Sequence, residues 1–423
     1  MTKKTERSGK TERSGKTERS GTLKSALAST ALAALVCAAF AGGAVAESVK
    51  VGVLNDQAGV QADFAGAGSV VAAKMAIADF GGKVAGMPIE LVAADHQNKA
   101  DIGVNVTRQW FDTDGVDAVL DVPNSAVALG VSGIARQKNK VVIISGGGTS
   151  DLTGKDCSPN TVHWTYDTWA QANTVGTAVT KAGGNTWYFI SVDYAFGHAL
   201  ERDAGEAIKA AGGKILGTVR HPLGTSDLSS FLLQGQASGA KVIGLGSAGA
   251  DTINAVKQAS EFGIVKAGQK LVAMLMVLND ISALGLETAQ GLFLSEAFYW
   301  DLNDQTRSFA KRFAEANGGR YPNMVHAGVY AGLLHYLKAV EKVGSAKDGA
   351  KVVEAMKAIP TDDPLFGKGA VRPDGRAIHD MHLFEVKSPA ESKGPYDFYK
   401  LIATVPADKA FRPLAAGNCP LVK

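Results

Sequence analysis

The polar loops of this 423-residue chain carry its chemistry-bearing side chains. Asn124-Ser125 precedes a helical stretch and offers an amide, a hydroxyl and free backbone N–H groups, a set that suits an anionic oxygen such as a carboxylate. The same pair also suits plain helix capping. Ser145-Gly146-Gly147-Gly148-Thr149-Ser150 sets three consecutive glycines beside hydroxyls. Glycines there let backbone approach a ligand closely, or simply make a flexible turn. Aromatic side chains cluster at Trp164, Tyr166 and Trp169, at Tyr194 and Phe196, and at Phe298-Tyr299-Trp300. They fit either a core or the lining of a cleft for an organic ligand.

Other motifs point nowhere. Gly244-Leu245-Gly246-Ser247-Ala248-Gly249 matches G-x-G-x-x-G between a strand and a helix, but it sits late in the chain. The acids that follow, Asp251, Glu261 and Asp280, miss the spacing of about 20 residues that a dinucleotide site needs. His379-Asp380-Met381-His382 has the look of a metal pair without further clustered ligands, and reads as a solvated turn or strand edge. No G-x-S-x-G elbow, H-E-x-x-H or P-loop appears. The sequence predicts no catalytic residue, no cofactor and no metal, so an enzyme is not expected.

Short apolar runs alternate with helix-length amphipathic stretches, the pattern of parallel βαβ units. Strands are predicted at 48–54, 88–95, 116–122 and 141–146, with helices near 66–80, 99–113 and 125–138. A second series restarts with strands at 186–192, 214–220, 241–246, 270–277 and 292–298, and helices near 197–211, 227–238 and 251–262. Helices near 305–317, 324–343 and 347–359 follow without strands of their own, then β-like runs at 382–386 and 396–402. Two serial α/β sheets joined near 163–168 imply two lobes with a cleft between them. In such sheets ligands bind beyond the carboxyl ends of the strands. That selects the loops at 55–59, 121–125, 145–150, 193–197 and 246–251.

Residues 23–46 read as a secretory signal ending Ala44-Val45-Ala46, an A-x-A cleavage site, and not as a membrane anchor. Val36 before Cys37 argues against lipid modification. Upstream, Lys-Thr-Glu-Arg-Ser-Gly occurs three times in tandem. Of 44 Lys/Arg and 41 Asp/Glu, eight and three precede residue 47, so 36 stand against 38 in the mature chain and its net charge is −2, not +3. Nucleic acid and anionic membranes are therefore poor partners. Export also makes Cys157 and Cys419 a plausible bridge.

From Val51 to about Val386 the chain resembles the periplasmic solute-binding proteins of the branched-chain amino-acid (leucine/isoleucine/valine-binding) family. The likeness rests on Val51-Gly52-Val53-Leu54 with the Gly59–Gly66 loop, Gly86–Leu91, Asp193–Gly197, Asp227–Phe231 and Gln258–Gly263 in that order. It implies a type I α/β fold of two Rossmann-like lobes, parallel-type sheets flanked by helices, three hinge crossovers and a cleft that closes on a ligand for an ABC importer. The expected division is a leader at 1–46, one lobe at 47–165 and 298–370, the other at 166–297 and 371–402, and a tail, 403–423, tied back to the first.

By the resemblance, the first lobe grips a carboxylate through Asn124, Ser125, Gly147, Gly148 and Thr149. The second closes Tyr194, Phe196, Ala248 and Asp251 over it, with Tyr166 and Met274 against the ligand. Amino-acid-binding members place a Glu where this chain reads Ala273–Asn279, which lacks an acid, so a small organic carboxylate, aromatic acids among them, is the expected ligand. A branched-chain amino acid is the alternative, with Asp251 or Asp280 as the partner of its ammonium. The expected setting is a periplasmic monomer serving permease subunits in the inner membrane. A sensor module for a membrane receptor is the reading from another class.

Overall fold

A computed structural model describes residues 47–422; the expected leader and its repeats lie outside the described residues. The first sheet contains β1 (Val49–Asn55), β2 (Lys83–Val84), β3 (Met87–Asp95), β4 (Ala118–Asp121), β5 (Val141–Ile144) and β6 (Thr161–His163), in the order β2-β3-β1-β4-β5-β6. All neighbours but β2 and β3 are parallel. Parallel pairing requires crossovers, supplied by helices α1 (Gly66–Phe80), α2 (Ala100–Asp112) and α3 (Ser125–Lys138). With both faces covered, β4 and β5 are buried throughout, which is why Ala118–Leu120 and Val141–Ile144 are apolar without alternation.

After β6 the chain crosses over through α4 (Thr168–Gln171), a π-helical turn (Ala172–Gly176) and α5 (Thr177–Lys181). The second sheet begins with β7 (Thr186–Val192), β8 (Lys214–His221), β9 (Val242–Gly246), β10 (Lys270–Ala273) and β11 (Phe293–Glu296), all parallel. Between them lie α6 (Ala195–Ala210), α7 (Ser229–Ala237), α8 (Ala250–Glu261), α9 (Leu278–Leu284) and α10 (Leu286–Ala289). The predicted strand at 270–277 stops at Ala273. Met274–Val277 stays fully buried, and the Asp280 carboxylate accepts the Val277 N–H at 3.0 Å, turning the chain into α9.

The helices that lacked strands return to the first sheet. They are α11 (Asp304–Ala316), α12 (Met324–Val343) and α13 (Gly349–Ala358). Fifteen of the twenty residues of α12 are buried, because it packs between α1, α13 and strands β4 and β5. A small antiparallel sheet follows, β12 (Thr361–Asp363), β13 (Gly367–Val371) and β14 (Ala377–Ile378). The chain then crosses again to add β15 (Met381–Val386) and β16 (Tyr399–Val405) to the second sheet, whose order is β16-β15-β11-β10-β9-β7-β8. These two edge strands are antiparallel. A loop suffices to join β15 to β16, so no crossover helix is needed. The main chain thus passes three times between the sheets.

The crossovers share one buried cation. The Arg376 guanidinium donates to the carbonyls of Trp164 (2.7 Å) and Tyr166 (2.8 Å), and lies 4.4 Å over the Phe411 ring. Asp167, at 3.5 Å, is its counter-ion. His379, expected in a solvated turn or strand edge, stands just before β15 and is buried. Its ring nitrogens meet the carbonyls of Trp164 and Asp380, and Phe366 and Phe411 pack against it. Desolvation holds its pKa down at about 4, so the ring is neutral and donates to one of these carbonyls through its single N–H. Cys157 and Cys419 are bridged, with their Cα atoms 5.6 Å apart. The tail that the bridge anchors begins at α14 (Ala407–Ala410), and its Arg412 side chain donates to the Ser150 carbonyl at 2.9 Å.

Candidate functional site

Strand order picks the site. In the first sheet β1 lies between β3 and β4, and in the second β7 lies between β8 and β9. Connections therefore leave in opposite directions at the ends of β1 and β4, and at the ends of β7 and β9, which opens a crevice at each place. Residues 56–65, 122–125, 193–195 and 247–250 occupy those ends.

On the first lobe, Asp121 and Val122 adopt left-handed backbone (φ 81° and 48°), a sharp turn that swings the chain from β4 into α3. Asn124 then caps α3, its Oδ1 accepting from Ala126 (3.0 Å) and Val127 (3.2 Å). The Asn124 Oδ1 is therefore committed to its own helix, which leaves the Nδ2 donors of the same side chain. Ser125 becomes the first helical residue, and its Oγ accepts from the Thr149 N–H at 3.1 Å, tying the two loops together. Thr149 in turn caps the short helix Ser150–Thr153.

The glycine loop is oriented by its carbonyls. Gly146 O accepts from the Tyr166 hydroxyl (2.6 Å), Gly147 O pairs with His163 Nε2 (2.6 Å), and Gly148 O accepts from the Thr168 N–H (2.8 Å). Burial drives the His163 pKa well down, so the ring is neutral and its Nε2 carries the proton donated to Gly147. A trans peptide points its C=O and its N–H in opposite directions. With the carbonyls of 146 and 147 turned inward, the N–H groups of Gly147 and Gly148 face the other way. Among the described residues nothing accepts from them or from the Ser125 N–H. Three N–H donors, beside the positive end of α3, are left free in these loops, a candidate cradle for an anionic group.

Aromatic rings face this cradle. A Cβ on Gly148 would sit 2.9 Å from both Phe196 and Tyr166, so any larger residue there would displace the rings. Phe64 meets Tyr166 edge-on at 6.4 Å, and Tyr194 lies 6.3 Å from Phe196. Tyr194 and Phe196 come from the second lobe, so the rings of both lobes close over the same place. Gln61 of the first lobe donates to the Tyr194 hydroxyl at 3.4 Å. Ala248 and Met274 are buried in the apolar cluster that also holds Phe64, Tyr166 and Phe196. Phe64 and Gln61 lie in the Gly59–Gly66 loop that carries part of the resemblance but were not named as site residues; an aromatic two residues before the start of α1, in a loop at a strand's carboxyl end, was the available signal.

The acids sit differently. Asp251 accepts from the Gly224 N–H at 3.0 Å, and burial raises its pKa. Asp280 is fully buried, pushed up to about 7 chiefly by burial, and its Oδ1 has no partner among the described residues. A second buried carboxyl, Asp121, accepts from Asn55 at 2.8 Å and is raised by burial to about 6. An open groove between α8 and β10–β11, lined by Val256, Lys270 and Glu287, lies at the opposite end of the strands, away from these loops. No metal-binding group of His, Cys, Asp or Glu occurs among the described residues.

A family model described as periplasmic binding protein matches residues 48–395. The chain belongs to that family. A solved periplasmic binding protein from Burkholderia mallei is 50% identical with a TM-score of 0.87, over 89% of this chain and all of that one. A branched chain amino acid ABC transporter periplasmic ligand-binding protein from Burkholderia xenovorans is 41% identical, TM-score 0.79, with the same coverage of both chains. The Leu/Ile/Val-binding protein homolog 6 of Brucella melitensis is 28% identical over 85% of this chain and 92% of its own length. The type I fold and the branched-chain family read from the sequence are those of this periplasmic binding protein, and its relatives serve ABC transporters.

Proposed function

We propose that this periplasmic binding protein captures a small organic carboxylate between its lobes and presents it to an ABC permease. The observation that carries this reading is the set of free N–H groups at Ser125, Gly147 and Gly148. Charge-assisted hydrogen bonds of this type are about twice as strong as neutral ones. Ser125 and Thr149 would shape the cradle, and Phe64, Tyr166, Tyr194 and Phe196 would cover the apolar body of the ligand. A flat, aromatic body suits four rings. Micromolar capture needs only about −8 kcal/mol.

The amino-acid reading has one observation in its favour, the unpartnered Oδ1 of Asp280, which could meet an ammonium. A carboxyl with a pKa near 7 is half protonated at neutral pH, which weakens that pairing. Export by a cleaved leader, a monomeric state and the lobe boundaries stated above belong to the same reading. A thermal-shift screen of the mature protein against aromatic acids, aliphatic acids and amino acids tests it, because a ligand raises apparent stability by mass action. Stabilisation by aromatic acids supports the proposal; stabilisation by leucine and by no aromatic acid replaces it with the amino-acid reading.

A further inference from the structure

We propose that the Val60 carbonyl and the Ala250 N–H form a backbone clasp between the lobes, a positioning device that favours the closed form whatever ligand fills the site. The two atoms are 3.0 Å apart. Val60 belongs to the loop after β1 on the first lobe, and Ala250 is the first residue of α8 on the second.

Both sides are built for the contact. On the first lobe, the Asp56 carboxylate accepts from the N–H groups of Gly59 (2.7 Å) and Gln61 (2.8 Å), which folds residues 56–61 into a fixed tip. A Cβ at Gly59 would lie 2.7 Å from both Asp56 carboxylate oxygens, so the tip requires glycine there. The Val60 carbonyl is thereby held outward, toward the second lobe. The Val60 side chain leans the same way, 3.8 Å from where a Cβ on Gly224 would stand.

On the second lobe, Gly249 takes φ 58° and ψ −136°, a conformation open to glycine alone. A Cβ there would sit 2.3 Å from the Val60 carbonyl oxygen. Glycine at 249 therefore serves twice, by its backbone angles and by leaving room for the opposite lobe. The first N–H of a helix has no partner inside that helix. With the lobes apart it faces water; with the lobes together it meets a carbonyl whose negative end suits the positive end of α8. The Gln61 to Tyr194 contact lies on the next residue of the same tip and reinforces the closure. The clasp atoms themselves, the Val60 carbonyl and the Ala250 N–H, are separate from the donors at Ser125, Gly147 and Gly148, so losing them reads closure; Tyr194 alone belongs to both the closure and the ligand cover.

The test uses the mature protein without ligand, so its failure and the failure of the carboxylate reading are separate results. Ala250→Pro removes the donor at the first helical position, where proline is well accepted. Expected are an unchanged far-UV circular dichroism spectrum, a larger radius of gyration by solution scattering than wild type, and the same direction of change for Gly249→Ala. In the wild type the Ala250 amide exchanges at least about tenfold more slowly than an unprotected amide. Equal radii for wild type and Ala250→Pro overturn the clasp. Should either variant lose its fold, the exchange rate in the wild type decides alone, and unprotected exchange at Ala250 overturns it.

Discussion

At the residue scale, the site depends on which groups are already spent inside the protein. Asn124 was expected to reach the ligand, and since its Oδ1 is engaged by two N–H groups of α3, any contact with a carboxylate falls to its Nδ2. Its helix-capping alternative, open from the sequence, describes the side chain's position. Ser125 and Thr149 join the two loops that carry the free N–H groups of the proposed cradle. Ser125→Ala or Thr149→Ala should weaken carboxylate binding by about tenfold or more, the scale of one hydrogen bond to a charged group. Isothermal titration reads this directly, and unchanged affinity in both variants would remove the cradle from these loops. A Gly148→Ala change should act differently. Its Cβ would push on Phe196 and Tyr166 together, so binding of aromatic acids should fall more than binding of short aliphatic acids.

At the scale of elements, the crossovers decide whether the loops face one another. Arg376 holds two carbonyls of the 164–167 segment from the turn between β13 and β14, just before the chain crosses to β15, so it fixes one crossover against another. Because it is fully buried, removing it leaves Asp167 and those carbonyls without their partner. Arg376→Met should cost about 3–5 kcal/mol in urea unfolding, and a cost below about 1 kcal/mol would show that this cation is not structural. The Cys157–Cys419 bridge spans 262 residues, and in the chain-entropy model closing so long a loop contributes up to about 5 kcal/mol. The Cys157→Ser, Cys419→Ser double variant should therefore melt measurably lower than wild type; an equal midpoint contradicts a stabilising bridge.

The elements themselves were mostly legible, and the exceptions have physical causes. Met324–Val343 reads as a helix from end to end because Asn323 caps it and Gly344 ends it in left-handed backbone. The strand predicted through Val277 ends at Ala273, since an apolar run reports burial and not hydrogen-bond pairing. The small sheet at 361–378 has strands of three, five and two residues, too short to show a period. Phe64 escaped notice because a single aromatic in a loop has no pattern. His379 escaped because the sequence does not reveal that two crossovers enclose it.

At the scale of the whole molecule, buried acids and histidines set opposite pH trends. His96, His326 and His379 are held down at about 4 by burial, so the unfolded chain binds more protons between about pH 4 and 6.5, and stability rises with pH there. Burial raises Glu296 to about 8 and Asp280 to about 7, so between their unfolded values near 4 and those pH values the folded chain holds more protons. Stability then falls as pH rises. Above about pH 6.5 the histidine trend is exhausted and the carboxyl trend acts alone. The free energy of unfolding should therefore decline from pH 6.5 to 8.5. Glu296→Gln should flatten that decline, and a flat wild-type profile would contradict protonated buried carboxyls.

The central claim is that a carboxylate enters the cradle at Ser125, Gly147 and Gly148. The measurement that tests it most directly is calorimetric titration of the mature protein with an aromatic acid that stabilises it in the thermal screen, set beside the primary amide of that acid. The account predicts binding of the acid and a loss of at least about tenfold for the amide, since the charge-assisted bonds are then gone. Equal affinity for acid and amide would contradict it.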